Sequence, residues 1–282
     1  MHAFHQVDVF ASRPHAGNPV AVVHGADGLT TEQMATFARW TNLSETTFLL
    51  SPTRPGADYR LRIFTPGAEL PFAGHPTLGS AHAWLAAGGQ PAEGEVINQE
   101  CGVGIVPIRR GTRLAFLAPP LLRSGPVSDG DARAVVAALR VDPDRVVDMS
   151  WVDNGPGWVG VLLDSAQTVL DLRPDWAALV GWDVGVVGPY PGSGEDGGPA
   201  CEVRAFCPGL GVEEDPVTGS LNAGLGQWLT ASGRLPESYV AAQGTVLGRA
   251  GRVHVERVGD QVWVGGDTST VVRGEVSFAR VP

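Results

Sequence analysis

The chain contains no lysine, and all 20 of its cationic side chains are arginine, against 30 acidic residues. Mechanisms that need a lysine amine are therefore excluded, which removes pyridoxal phosphate aldimines, Schiff-base aldolases and Walker A phosphate loops. The formal charge of −10 disfavours nucleic acid and anionic membrane surfaces as partners. An anionic ligand would have to be bound by local dipoles, because the field of the whole chain repels it.

Cysteine is scarce, and its three residues, Cys101, Cys201 and Cys207, do not have the spacing of metal ligands. An odd number without that spacing fits a reducing compartment, so we expect a cytoplasmic protein with buried thiols. No apolar run approaches the length that spans a bilayer, and residues 1–8 do not have the pattern of a signal peptide. Membrane attachment is therefore not predicted.

Several catalytic patterns are absent or out of context. Residues 192–197 spell the glycine pattern of a dinucleotide site, but prolines surround them, so we predict a surface loop. The chain has no Gly-x-Ser-x-Gly elbow, which disfavours a serine hydrolase. His2, His5 and His15 lack ligand spacing, so no metal site is predicted.

What the chain does contain is an internal repeat of three short blocks. Arg-x-Phe-x-Pro-Gly at 62–67 recurs at 204–209, His-Pro-x-x-Gly-Ser at 75–80 recurs as Asp-Pro-x-x-Gly-Ser at 215–220, and Trp-Leu at 84–85 recurs at 228–229. The offset is 140 at the second block (215 − 75) and 144 at the third (228 − 84), which predicts a second helix about one turn longer than the first. The repeat predicts two similar domains, 1–119 and 120–282, with the last strand a candidate to cross back to the first.

Each copy predicts one buried helix among strands. The segments from Pro76 to Ala87 and from about Pro216 to Ala231 are apolar or small on all sides, as in a helix that other structure surrounds. Thr30 and Gln33 predict a capping box at the start of a further helix. The predicted fold class is α+β: two similar domains, each a strongly curved, mostly antiparallel sheet wrapped around a central helix, related by a pseudo-twofold axis.

The N-termini of the two buried helices are the predicted binding site. A helix N-terminus presents N–H groups and partial positive charge, so it binds a carboxylate without a cationic side chain. One start carries His75 and the other Asp215, each directly before a proline, and a twofold arrangement would turn both towards one cleft. Glu45, at a junction between helix and strand, completes the predicted proton-transfer groups.

An alternative interpretation remains open for each of these residues. Glycine and proline near both starts are ordinary helix-start signals and need no ligand. Glu45 has the alternative of a solvated loop carboxylate, and His75 that of a capping or packing histidine. His82, inside the first buried helix, is expected to make a core hydrogen bond.

Four segments resemble the PhzF-like family of phenazine-biosynthesis isomerases. They are Asp-Val-Phe at 8–10 with Gly-Asn-Pro at 17–19, Asn-Leu-Ser-Glu-Thr at 42–46, the block 69–79, and Glu-Asp-Pro-Val-Thr-Gly-Ser at 214–220. The block 69–79, Glu-Leu-Pro-Phe-Ala-Gly-His-Pro-Thr-Leu-Gly, is highly specific. The resemblance implies the diaminopimelate-epimerase fold with a site between two similar domains, a small anionic metabolite as ligand, no cofactor, and commonly a homodimer.

The resemblance also implies roles for particular residues. Glu45 would be the acid/base that moves a proton within a small unsaturated acid, and His75 and Asp215 would line the site with it. The predicted substrate-binding residues are Asn18, Ser44, Gly74, Gly219 and Ser220, with main-chain N–H groups near the two glycines holding a carboxylate. The sequence departs from the family pattern at Leu221 and Asn222, and neither helix start has the cysteine of the related two-thiol racemases.

We therefore expect a cofactor-independent isomerase. In it, Glu45 removes a proton from an activated carbon of a small carboxylate-bearing, cyclic or unsaturated metabolite and returns a proton elsewhere on the same face. His75 and Asp215 would protonate and orient the substrate. The alternatives are an epimerase or racemase of an amino acid-like substrate, with bases on opposite faces, and a catalytically silent homologue that only binds ligand.

Overall fold

The computed structural model describes residues 1–92, 94–192, 197–210 and 212–278. Of the glycine pattern at 192–197, residues 193–196 lie outside this description. The chain forms two compact units, the first made of Met1–Leu117 with Gly265–Pro282 and the second of Ala118–Val264. Among the described helices, none has the length and apolar composition that crossing a bilayer requires.

The described chain contains strands and helices in the following order. The strands are β1 (His2–Val9), β2 (Asn18–Val23), β3 (Glu45–Leu50), β4 (Tyr59–Phe64), β5 (Glu69–Leu70), β6 (Val96–Cys101), β7 (Gly104–Arg109), β8 (Leu114–Leu117), β9 (Arg123–Pro126), β10 (Val146–Asp153), β11 (Trp158–Leu163), β12 (Asp183–Pro189), β13 (Cys201–Cys207), β14 (Val212–Asp215), β15 (Ser238–Gln243), β16 (Gly251–Val258), β17 (Gln261–Gly266) and β18 (Thr268–Val276). The helices are α1 (Thr31–Thr41), α2 (Gly74–Ala86), α3 (Asp129–Leu139), α4 (Ala166–Asp171), α5 (Trp176–Leu179) and α6 (Gly219–Ala231). The predicted capping box of Thr30 and Gln33 is present at α1.

The first unit is a mostly antiparallel sheet with two crossovers. Strand β1 pairs antiparallel with β2 and with β18. After the crossover through α1, β2 and β3 run parallel, and the antiparallel pairs β3–β4 and β4–β5 follow. The crossover through α2 makes β4 and β6 parallel, and β6–β7 and β7–β8 are antiparallel.

The second unit repeats this series of pairings. Strands β10 and β11 are antiparallel, and β11 and β12 are parallel after α4 and α5. The antiparallel pairs β12–β13 and β13–β14 follow, then the parallel pair β13–β15 after α6, and the antiparallel pair β15–β16. The common series confirms the predicted α+β fold with two similar domains.

The repeated Arg-x-Phe block builds the same contact in both units. Nε and Nη2 of Arg62 donate to the carboxylate of Glu69 at 2.7 and 2.6 Å, and those of Arg204 donate to Glu214 at 2.9 and 2.7 Å. Each guanidinium also lies over the phenylalanine two residues later, at 5.1 Å in the first unit and 4.9 Å in the second. The sequence repeat therefore corresponds to a structural repeat at this place.

The two central helices are buried, as predicted. Every residue of α2 from Gly74 to Ala81 is buried, and the helix packs against β1, β2, β3, β4, β6, β8 and β18. Helix α6 packs against β10, β11 and β16. The close approach of α2 to β2 needs Gly79, because a Cβ there would collide with the side chain of Val20.

The prediction of an extra turn in the second helix is wrong, because α2 and α6 each have 13 residues. Helix α2 begins at Gly74 instead of Pro76, and α6 begins at Gly219 instead of Pro216. Asp215 ends β14, and residues 216–218 lead from it into α6, so the additional residues of the second copy precede the helix. The second residue of α2 is His75 and the second residue of α6 is Ser220, so Ser220, not Asp215, holds the position that matches His75.

Candidate active site

Three elements of the first unit bring polar side chains to the N-terminus of α2. Asn18 is the first residue of β2, Glu45 is the first residue of β3, and His75 is the second residue of α2. Nε2 of His75 lies 3.3 Å from Oε2 of Glu45, and Nδ1 of the same ring lies 3.2 Å from Nδ2 of Asn18. The side chain of Glu45 is 14% exposed and that of His75 is 3% exposed. A partly exposed carboxyl thus lies against an enclosed imidazole.

Burial lowers the pKa of His75 to about 3, so its ring is neutral at pH 7, although a hydrogen bond with the backbone of Pro19 opposes the shift. The Asn18 amide nitrogen can only donate and Pro19 offers only a carbonyl oxygen, so the first contact favours a ring that accepts at Nδ1 and the second a ring that donates. Nε2 and Oε2 are both buried, and their 3.3 Å approach is a close polar contact between a neutral ring and a carboxyl.

Asp8 supports the turn that precedes Asn18. Oδ2 of Asp8, a buried carboxylate, accepts the backbone N–H groups of Ala16 at 3.0 Å and of Gly17 at 3.1 Å. Glycine is required at position 17, because a Cβ there would collide with the carbonyl group of Val9. The two sequence segments 8–10 and 17–19 therefore meet to support one side chain, a role for Asp8 that the sequence analysis did not predict.

The N-termini of the two central helices lack the side-chain caps of the other helices. The N-cap side chains that accept a backbone N–H in the first turn of α1, α3, α4 and α5 are Thr30, Ser128, Ser165 and Asp175. Ala73 and Thr218, the N-cap residues of α2 and α6, accept no such bond with their side chains. First-turn N–H groups at Gly74 and Gly219 are therefore suited to a carboxylate ligand.

In the second unit, Ser220 is held at the start of α6 by two buried side chains. Nε1 of Trp158, the first residue of β11, donates to Oγ of Ser220 at 3.1 Å. Nδ2 of Asn154 donates to the carbonyl oxygen of Ser220 at 2.8 Å. Because the hydroxyl accepts from an indole, which can only donate, the hydroxyl proton of Ser220 points elsewhere and is suited to a ligand oxygen.

The carboxyl of Glu45 has no counterpart at the matching register of the second unit. In β3, the residue paired with the third residue of β2 is Glu45, and in β12 the residue paired with the third residue of β11 is Gly185. A Cβ at Gly185 would collide with the side chain of Leu221, which occupies this space. The bulk of Leu221, one of the two departures from the family pattern, is thus accommodated by a glycine on the neighbouring strand.

The other departure, Asn222, belongs to the interior of the second unit. Its Nδ2 donates to the carbonyl oxygen of Thr218 at 2.9 Å and to Oε1 of Gln243 at 2.9 Å. The hydroxyl of Thr218 in turn donates to Oδ2 of Asp215, a buried residue, at 2.5 Å. Asn222 therefore supports the segment before α6.

The remaining candidates lie as follows. Ser44 is half-buried and directly precedes Glu45. His82 makes the expected core hydrogen bonds, with Nδ1 at 2.9 Å from the hydroxyl of Thr268 and Nε2 at 2.9 Å from that of Thr270. The three cysteines are buried. In the part of the chain that the structure describes, no three His, Cys, Asp or Glu side chains are arranged to hold a metal ion.

A model of the family described as phenazine biosynthesis-like protein matches residues 7–274. The chain belongs to this family. Antisense-enhancing sequence 1 of Schizosaccharomyces pombe is 36% identical to it over 295 residues, which cover 97% of this chain and 98% of that protein. Trans-2,3-dihydro-3-hydroxyanthranilate isomerase of Pseudomonas aeruginosa is 35% identical over 266 residues, which cover 92% and 91%.

A crystal structure of a phenazine biosynthesis protein of the PhzF family from Enterococcus faecalis has a TM-score of 0.79 to this structure. The two chains are 26% identical, and the alignment covers 98% of this chain and 99% of that one. These likenesses confirm the family resemblance and the fold, and the chain is an isomerase of the phenazine biosynthesis-like family.

In this member of the phenazine biosynthesis-like family, Trp158, Gln243 and Gly185 shape the surroundings of the start of α6, and the sequence analysis did not find them. Trp158 stands at the start of a strand, as Asn18 does, and this matched position was the available signal. Gln243 directly precedes a glycine, which is a weak signal. Gly185 is one of 38 glycines, and no local pattern separates it from the others.

Proposed function

We propose that the protein is a proton-shifting isomerase that acts without a cofactor on a small carboxylate-bearing metabolite, cyclic or unsaturated. The observation that carries this proposal is the contact between Glu45 and His75 at the N-terminus of α2. A reachable carboxyl is oriented there by a neutral ring, at a helix start whose N-cap side chain accepts no N–H group. Those are the parts that acid/base catalysis on a carboxylate substrate needs.

In the proposed reaction Glu45 serves first as base and then as acid. Its carboxylate takes a proton from a carbon that conjugation has acidified, and the electron pair of the broken C–H bond moves into the conjugated system. The carboxylic acid then gives a proton to another carbon of the same system, so the double bond shifts and no net oxidation occurs. A neutral His75 fits this role, because its ring lies against the Glu45 carboxyl without adding a permanent positive charge beside it.

We propose that Asp215, Gly219 and Ser220 of the second unit take part in the same reaction. Asp215 would protonate an enol or amine and orient the substrate. The hydroxyl of Ser220, which accepts from Trp158, would donate to a substrate oxygen. The N–H groups at Gly74 and Gly219 would bind carboxylate oxygens, with Asn18 and Ser44 completing the substrate-binding set.

The strand register disfavours one form of the epimerase alternative, in which two matched carboxylates act on opposite faces of one carbon. Gly185 stands where the second unit would carry the match of Glu45, and Leu221 occupies the space. A single acid/base of the Glu45 type fits a shift of a proton along one face. An epimerase with a carboxylate and an imidazole as the two bases is the second candidate function.

The first substrate to test is trans-2,3-dihydro-3-hydroxyanthranilate, because the Pseudomonas aeruginosa relative is named as its isomerase. The purified protein would be incubated with it and with a panel of cyclic amino and hydroxy acids, and products separated by chromatography and weighed by mass spectrometry. The proposal predicts at least one product of unchanged mass and changed retention. Calorimetric binding of a panel compound with no such product from any of them would contradict the proposal and favour the silent homologue.

A further inference from the structure

We infer that Gln243 is a positioning residue for Asp215: it directs the hydroxyl proton of Thr218 to the Asp215 carboxylate and so sets the orientation of that carboxylate. The hydrogen bonds among Gln243, Thr218 and Asp215 are observed in the structure, and only their effect on turnover rests on the proposed function.

Gln243 is fully buried at the end of β15, and both the oxygen and the nitrogen of its side-chain amide make hydrogen bonds. Oε1 accepts the backbone N–H of Thr218 at 3.0 Å and Nδ2 of Asn222 at 2.9 Å. Nε2 lies 3.2 Å from the carbonyl oxygen of Asp215 and 3.0 Å from Oγ1 of Thr218. A backbone N–H can only donate and a backbone carbonyl can only accept, so these two groups determine which end of the amide is oxygen and which is nitrogen.

The orientation of the amide decides where the Thr218 hydroxyl proton goes. Nε2 of Gln243 donates to Oγ1 of Thr218, so the hydroxyl cannot donate back to the same nitrogen. Oδ2 of Asp215 lies 2.5 Å from Oγ1 and accepts the proton. Hydrogen bonds to an ionised carboxylate are shorter and stronger than neutral ones. The relay therefore runs in one direction, from Gln243 through Thr218 to Asp215.

The packing around this relay leaves the segment 216–218 little room to move. Gly244 follows Gln243 with a φ of +88°, and a Cβ there would lie 2.6 Å from the carbonyl oxygen of Pro216. A Cβ at Gly251, on β16, would lie 2.6 Å from Cγ2 of Val217. The two glycines let the segment sit directly against the end of β15, which keeps Thr218 at its distance from Gln243.

Gln99 of the first unit is a matched control. It is also fully buried near the end of a strand, and its Nε2 donates to Oγ1 of Thr77 at 2.9 Å. Its Oε1 accepts from the hydroxyl of Tyr59 at 3.0 Å. Gln99 and Gln243 thus both donate to a threonine hydroxyl, and the hydroxyl that Gln243 contacts, that of Thr218, donates in turn to the carboxylate of Asp215.

The first test titrates Asp215 directly, without turnover. In protein labelled with ¹³C at aspartate carboxyls, the Asp215→Asn variant identifies the Asp215 signal. Thr218→Val removes the hydroxyl and is expected to raise the titration midpoint of Asp215 by about one pH unit, because a hydrogen bond to the ionised form is lost. Thr218→Ser keeps the hydroxyl and should leave the midpoint within about 0.3 units of wild type. Glu214, the residue before Asp215, is paired with Arg204, and Arg249 lies beside Gly244; none of these three charges is altered in the variants.

The second test addresses Gln243 itself. Gln243→Glu replaces the donor nitrogen by an oxygen that competes for the Thr218 proton and also adds a like charge near Asp215, so the Asp215 midpoint should rise by about one pH unit or more. Gln99→Glu should leave it unchanged. In the Thr218→Val background, which lacks the hydroxyl, Gln243→Glu acts by its charge alone, so the rise that it causes should be smaller there than in wild type.

Two outcomes would overturn the inference. Equal Asp215 midpoints in Thr218→Val and Thr218→Ser would show that the hydroxyl does not act on the carboxylate, and this pair decides the matter even if Gln243→Glu does not fold. Additive rises in the double variant would show that position 243 acts on Asp215 directly. A wild-type protein that turns over no substrate would contradict the proposed function only, since the titration does not depend on activity.

Discussion

Nε2 of His75 lies 3.3 Å from Oε2 of Glu45, although 30 positions (75 − 45) separate the two residues in the chain. Glu45 begins a strand that pairs with β2, and His75 lies in the first turn of the helix that packs on β2. The contact therefore forms only when the crossover through α1 and the central helix are both in place. Folding of the first unit therefore places the carboxyl of Glu45 next to His75, beside the N-terminus of α2.

The first prediction concerns the contact between Asn18 and His75. In Asn18→Asp a carboxylate replaces the amide that donates to Nδ1, so the ring must present a proton at Nδ1, and its arrangement beside Glu45 changes. We expect kcat/KM to fall on the order of 10²-fold, because Asn18 is also proposed to bind the substrate. Asn98→Asp on β6 is the control for adding a carboxylate to the same unit. An Asn18→Asp enzyme with wild-type kcat/KM would contradict the role of Asn18 beside His75.

The second prediction concerns stability and pH. The pKa of His75 is about 3 in the folded protein, against an ordinary value of 6.5, because burial disfavours the charged ring. Between these two pKa values the folded state binds fewer protons than the unfolded state. The stability that the neutral, buried ring of His75 contributes is therefore fully present above pH 6.5 and is lost as the pH falls towards 3. Relative to His75→Leu, wild type should lose about 1.4 kcal/mol of unfolding free energy per pH unit below pH 6. Urea unfolding at several pH values measures the difference, and parallel pH profiles would contradict it.

The third prediction concerns the space that Leu221 fills. Gly185→Ala places a Cβ against the Leu221 side chain, which should cost about 1–3 kcal/mol of unfolding free energy. Gly198→Ala is the control, because a Cβ there meets nothing within 4 Å. Adding Leu221→Ala to Gly185→Ala should recover part of the loss. If Gly185→Ala unfolds at the same urea concentration as Gly198→Ala, the close packing of Leu221 against Gly185 is contradicted.

The fourth prediction compares the repeated ion pairs. Side-chain exposure is 3% and 7% for Arg204 and Glu214, but 17% and 40% for Arg62 and Glu69. Glu214→Ala leaves a buried guanidinium without its partner and should cost about 3–5 kcal/mol, whereas Glu69→Ala should cost less than about 1 kcal/mol. Unfolding curves of both variants measure the difference. Equal losses of unfolding free energy in the two variants would show that the difference in burial between the two ion pairs has no effect on stability.

The features that the sequence predicted correctly are those that residues close together in the chain specify. The capping box at Thr30 depends on residues three positions apart, and the burial of α2 follows from a segment that is apolar or small on every side. The duplication was visible because Arg62 and Arg204 each stand two residues before a phenylalanine and build the same contact. Each of these signals lies within one element.

The start of the second helix was mispredicted because a proline before small residues is an ordinary helix start. Pro216 instead lies in the segment between β14 and α6. The contacts of Gln243 with Asp215 and of Trp158 with Ser220 join residues 28 and 62 positions apart, and they arise from parallel crossovers that no local pattern encodes. Glu45 was predicted from its position at a junction between helix and strand and then from its family motif, whereas Gly185, at the matching register of the second unit, became visible only from the strand pairing.

The most direct test of the central claim is the isomerisation of trans-2,3-dihydro-3-hydroxyanthranilate, or of the best substrate of the panel, in heavy water. Wild type, Glu45→Gln and the exposed control Glu32→Gln would be compared by rate and by deuterium content of the product. Wild type and the control should form product at equal rates with deuterium on carbon, and Glu45→Gln should be slower on the order of 10²-fold or more. Isomerisation by Glu45→Gln at the wild-type rate, with the same deuterium content, would contradict the assignment of Glu45 as the group that moves the proton.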